Sequence, residues 1–150
     1  MKTKLISTLA IILGVFFIYK GYGKINSNKL KSIDSDLLIE KIIENNSYEA
    51  PIGYKITMNT FKQSGYLDMV SVFQIIAGVL IIVPITRFWG LLLLLPIIFN
   101  IFFMHVFFDN RVDENLMTGG LLFLNILLFL PYKKQIVKAV ELFKAEKKVK

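Results

Sequence analysis

Five polar side chains fall inside apolar stretches of this chain, namely Lys20, Gln74, Asn100, His105 and Asn125, and Lys24 stands just past the first stretch. A polar group held in hydrocarbon is costly, so each of these is a candidate for ligand binding, proton transfer or hydrogen bonding between helices. His105 is the only histidine in the 150 residues. An unperturbed imidazole titrates near neutral pH and could shuttle protons. Asp109 lies four residues further on, on the same helical face, where its carboxylate could orient the ring. One histidine does not make a metal site of the usual kind. With no cysteine in the chain, disulfides, thiolate nucleophiles and cysteine-ligated zinc or iron–sulfur sites are excluded. No nucleophile and base, ligand cluster or phosphate loop stands out, so catalytic residues and metal ligands are expected to be none.

The elements that must position these groups are four apolar runs, at 5–22, 69–86, 89–108 and 116–132. Each has the length a helix needs to cross a hydrocarbon core roughly 30 Å thick. The composition agrees, with 55% hydrophobic and 13% aromatic residues and a mean hydropathy of +0.58. Lipid cannot satisfy backbone amides, so each crossing is a helix unless it belongs to a closed barrel. The runs lack the alternation of barrel strands. The expected fold is therefore all-α, a single integral membrane domain over 1–150, built as a bundle of four transmembrane helices with a long loop after the first.

Alternating helix directions and a rise of about 1.5 Å per residue put Gln74, Asn100 and Asn125 at one depth, roughly 12 to 14 Å below the outer edge. His105 and Lys20 lie nearer that edge. Two readings stay open. The amides could tie helices together, at about 0.6 kcal/mol per bond, or they could floor a cavity open to the outer leaflet. An aromatic and amide lining would suit a flat, partly polar ligand such as a quinone head group. Glycines at 14, 21, 78, 119 and 120 permit close helix approach, while Pro84, Pro96 and Pro131 bend or end helices.

The net charge of +7 points to membrane lipids as partners and not to nucleic acid, because the basic residues flank apolar runs and crowd the C-terminus. Lys2 and Lys4 with the triplet Gly21, Tyr22, Gly23 also fit a cleaved signal peptide. The run is longer than a usual signal core and carries Lys20 near its end, which favours a retained helix with a snorkelling ammonium. Placing both termini in the cytoplasm puts ten of the eighteen Lys and Arg residues inside: Lys2, Lys4, Arg87, Lys133, Lys134, Lys138, Lys144, Lys147, Lys148 and Lys150. The loop 25–64 is then extracytoplasmic. Within it, cap residues up to Asp36 predict a short amphipathic helix to about Asn46, interrupted by Pro51 and Gly53, acting as a lid or a docking surface for a partner protein. The tail 133–150 reads as a basic interfacial helix on the cytoplasmic side.

The order and spacing of these features resemble the DoxX family of small four-helix membrane proteins over nearly the whole chain. Pro96, Asn100, His105 and Asp109 in the third run are similar to that family's proline, asparagine, histidine and aspartate pattern. Gly14, Gly21 and Lys24 resemble its first-helix pattern, Ser64-Gly65-Tyr66 with Gln74, Gly78 and Arg87 its second, and Leu124-Asn125 its fourth. Where many relatives carry glutamate before the second-helix glycine, this chain carries Gln74. The resemblance implies a bacterial inner-membrane protein associated with quinone-linked oxidoreductases, such as a subunit of thiosulfate:quinone oxidoreductase. It implies an accessory or ligand-binding role, with a quinone as cofactor, a membrane or extracytoplasmic redox protein as partner, and Lys24, Gln74, Asn100, His105 and Asn125 as ligand-binding residues. Two alternative functions from the residues remain, a small-molecule transporter or permeability factor and a non-catalytic membrane scaffold, and assembly as an oligomer is left open.

Overall fold

The computed structural model describes residues 2–26, 36, 52–133 and 137, and every regular element among them is helical. The helices are α1 (Lys2–Ile25), α2 (Ile52–Gln63), α3 (Tyr66–Ile82), α4 (Arg87–Met104) and α5 (Val112–Phe129). A π-helical turn at His105–Asp109 continues α4, and a 3-10 turn at Leu130–Tyr132 closes α5. The helix expected at about 36–46 and the basic tail fall outside the described residues, apart from 36, 133 and 137.

Three helical stretches are long and apolar enough to cross a membrane: Lys4–Ile25, Arg87–Asp109 and Val112–Tyr132. A fourth crossing arises if Gly53–Gln63 and Tyr66–Ile82, bent by 81° against each other, form one span. The protein is a multi-pass helical membrane protein. Its apolar exterior fits that solvent: Tyr19, Phe107, Leu116 and Phe123 all lie open on the outer faces of the helices, a pattern a water-exposed surface would not tolerate.

The second expected run, 69–86, is realised as Tyr66–Ile82. Pro84 explains the earlier stop, because the ring disfavours helical backbone in the residue before it. Val83 is accordingly extended, at φ −78° and ψ 118°. The chain then turns back into α4, and Arg87 secures the corner. Its Nε donates to the Ile81 carbonyl at 3.0 Å and its Nη1 to Ser7 Oγ at 3.2 Å, joining α1, α3 and α4 at that end. The loop expected over 25–64 contains a further helix, α2. Gly53 lies in the first turn of α2, while the expected interruption at Pro51 of the helix at about 36–46 falls outside the described residues. Gly65, at φ +74°, makes the corner between α2 and α3, in a left-handed conformation that a side chain would strain. Lys62 Nζ clamps the same corner by its ion pair with Asp68 at 2.6 Å.

The closest packing joins α1 to α3. Gly14 and Gly78 face each other so tightly that a Cβ on either would stand 2.6 to 2.7 Å from the other's carbonyl oxygen. Seven residues along α1, a Cβ on Gly21 would stand 2.7 Å from the carbonyl of Ser71, itself seven residues from Gly78. A seven-residue repeat keeps one face of a helix in register with its neighbour, and small side chains let backbones touch where lipid supplies no hydrophobic drive. From there α3 packs on α4 and α4 on α5, while α5 meets α1 only sparsely. The bundle is thus an open ring. Its core of Leu13, Ile81, Leu91, Leu94 and Leu128 is at most 2% exposed.

Candidate ligand-binding site

The polar groups gather at the end of the bundle where α1 finishes and α5 begins. The contact at Gly21 brings α1 against Gln74, whose Cβ would lie 3.5 Å from a Cβ at that glycine. One turn later Lys24 Nζ donates to Gln74 Oε1 at 3.3 Å. The close approach therefore sets the reach of the lysine.

At the end of α4, the π turn widens the helix, a feature frequent at functional sites. It holds Asp109 opposite His105, with Nδ1 and Oδ2 2.8 Å apart. Arg111 completes the group, donating from Nε to Asp109 Oδ1 and from Nη2 to Oδ2, both at 2.9 Å. Its guanidinium also lies 3.6 Å from Glu114. The hydrogen bond to Asp109 raises the Arg111 pKa further above its already high value, so this cation is permanent. An ionised carboxylate only accepts. Nδ1 of His105 therefore carries the proton toward Asp109, and Nε2 is the nitrogen left for a ligand. Asn110, at φ +51°, ends the turn, its N–H donating to the His105 carbonyl at 2.6 Å.

Two cavities adjoin at this end. The first, about 310 Å³, lies between α2, α3 and α4. Its walls are aromatic and thioether groups, including Met58, Phe61, Tyr66, Phe73 and Met104, with Lys24, Asn100 and His105 as polar points. Helix α2 covers it, and Tyr54 stacks at a tilt 5.4 Å from the His105 ring. The second, about 200 Å³, lies between α1, α4 and α5 and is lined by Lys20, Gln74, Arg111 and Glu114 among others. Lys24, Tyr54, Ile101 and His105 line both.

The five residues singled out in the sequence are thus distributed as follows. Lys24 and His105 border both cavities, Gln74 the second and Asn100 the first. Asn125 is fully buried one turn below Leu121, which lines the second cavity, and neither of its side-chain polar atoms has a partner among the described residues. The three amides do not bond to one another, since their helices are rotated so that each faces a different neighbour. Tyr54 and the cover formed by α2 escaped the sequence reading, although Tyr54, Met58 and Phe61 recur at helical spacing. Arg111 is a further residue of the site that the apolar runs do not single out; its place two residues after Asp109, across a turn, was the available signal. Comparison with protein-family models, with curated proteins and with solved structures finds no match.

Proposed function

We propose that this chain is a ligand-holding membrane protein whose first cavity receives a flat, partly polar ring of the quinone class, and that it acts as an accessory subunit to a redox partner. The observation that carries the reading is the pairing of an aromatic and methionine-rich chamber with few polar groups, Lys24, Asn100 and His105 beside the tyrosines Tyr54 and Tyr66. Such a balance, apolar walls with few placed donors, is typical of small-molecule pockets, and about 310 Å³ is at the lower end of their range. An aromatic ring would lie against Tyr66 and Phe73, while Lys24 donates to one carbonyl and His105 exchanges a proton at another through Nε2. Asp109 and Arg111 hold the imidazole in the tautomer that this exchange needs.

The resemblance to the DoxX family points to the same ligand class. With both termini at the cytoplasmic face of a bacterial inner membrane, the cavities open toward the outer leaflet. A transport path receives less support, because below the cavities Leu13, Ile81, Leu91 and Leu94 close the bundle with apolar side chains.

The test is extraction of the protein from native membranes and measurement of co-purified quinone. Replacing Asn100→Leu together with His105→Leu removes two hydrogen-bonding groups worth about 1 kcal/mol each, so bound quinone should fall about tenfold or more. Equal quinone in variant and wild type would overturn the reading.

A further inference from the structure

The second cavity carries a cation, Lys20, that the ring-binding reading does not use, beside Lys24, which borders both cavities. Lys20 and Lys24 stand one turn apart on α1 and both line it. Among the described residues neither pairs with a carboxylate: Lys24 donates only to the Gln74 amide oxygen, and Lys20 lies over the Phe16 ring at 5.6 Å. The cavity's other cation, Arg111, faces the carboxylates of Asp109 and Glu114, so among the described residues three cations stand against two carboxylates and the ammonium groups of Lys20 and Lys24 hold the surplus positive charge. Gln74 has Oε1 occupied by Lys24, so what it offers a ligand is its Nε2 donor. Donors therefore outnumber acceptors around a chamber of about 200 Å³. Lys20 is exposed and Lys24 half-buried, and a partly buried cation in a membrane bundle without a carboxylate partner among the described residues is costly and marks a ligand pathway.

We infer that this second cavity binds an oxoanion, a phosphate or carboxylate, between Lys20, Lys24 and Gln74. Its setting favours an oxoanion carried on a lipid. The chamber lies in the seam between α1 and α5, the one place where the ring of helices is barely joined, and its lower wall of Phe16, Met117 and Leu121 is apolar. A headgroup seated on the lysines would leave its acyl chains running down that seam. Ammonium groups are strong partners for phosphate oxygens, and anionic lipids are the phosphates most abundant at a membrane surface. Lys20 lines this cavity and not the first, so the inference stands or falls separately from quinone binding.

The full-length protein, purified in neutral detergent, would be titrated with phosphatidylglycerol, with phosphatidylcholine and with inorganic phosphate, and bound lipid counted by native mass spectrometry alongside thermal unfolding. Phosphatidylglycerol should bind about tenfold more tightly than phosphatidylcholine, a preference that Lys20→Gln abolishes and Lys20→Arg retains. Stabilisation by inorganic phosphate alone, lost in Lys20→Gln, would support the oxoanion site and assign it to a free anion. No preference for phosphatidylglycerol and no response to phosphate, or a preference unchanged in Lys20→Gln, would overturn the inference. Co-purified quinone should be the same in Lys20→Gln as in wild type.

Discussion

Two glycines two residues apart on α1 allow the packing argument to be tested with its own control. At Gly23 an added Cβ meets nothing within 4 Å, whereas at Gly21 it would stand 2.7 Å from the Ser71 carbonyl oxygen and 2.8 Å from Ile75 Cγ1. Both substitutions to alanine gain the same helix propensity, about 0.5–1 kcal/mol. Only Gly21→Ala must push α3 away. Bringing the contact with the Ser71 oxygen out to an ordinary 3.4 Å needs a displacement of about 0.7 Å, and a gap of that size forfeits a quarter to a half of each van der Waals contact it opens. Overpacking of this kind costs about 1–3 kcal/mol. Gly23→Ala should therefore be stabilised by about 0.5–1 kcal/mol and Gly21→Ala destabilised by up to about 2 kcal/mol, the two differing by the overpacking cost. Reversible unfolding in mixed micelles, followed by the fluorescence of Trp89, measures both. Equal shifts in the two variants would refute the claim that α1 and α3 touch backbone to backbone. A second readout follows from the same displacement: the 3.3 Å bond from Lys24 to Gln74 would stretch beyond hydrogen-bonding distance, so Gly21→Ala should also weaken ligand retention while Gly23→Ala leaves it unchanged.

Two further substitutions address the polar groups. Asp109→Asn leaves Arg111 without its bidentate acceptor and frees the His105 ring to turn; because Arg111 is over a third exposed, the cost should be roughly 1–3 kcal/mol, below the 3–5 of a fully buried pair, read as a lowered unfolding midpoint. Asn125→Leu replaces an amide with no partner among the described residues by an apolar side chain of similar size, and should be neutral or stabilising by up to about 2 kcal/mol; a clear loss of stability in the same unfolding assay would mean that the amide does have a partner in the folded protein.

The fold was legible because hydropathy at the scale of about 20 residues is dictated by the bilayer itself, and four runs could be read without any knowledge of packing. Their ends were less legible. Polar residues such as Lys24 belong to the helices but not to the apolar runs, so α1 extends to Ile25, beyond the run that ends at 22. The boundary at Val83 was encoded by Pro84 all the same. Helix α2 was hidden for another reason: Gly53 looks like a breaker unless one knows that a helix begins at Ile52. Of the site, the His105 and Asp109 pairing followed from a spacing of four along one helix, because local geometry suffices to derive it. The separation of Gln74, Asn100 and Asn125 among different surroundings depends on how each helix is rotated about its axis. Depth alone, computed from residue number, carries no information about rotation.

The sparse meeting of α5 with α1 has a mechanical consequence. In a closed ring the girth is fixed, since widening one interface must compress another. Here α5 is held chiefly by its contact with α4, while the glycine seam and the Arg87 bracket tie α1, α3 and α4 to one another. The diameter of the bundle is therefore a property the surrounding bilayer can adjust, and lateral pressure in the membrane becomes a variable that acts on this protein.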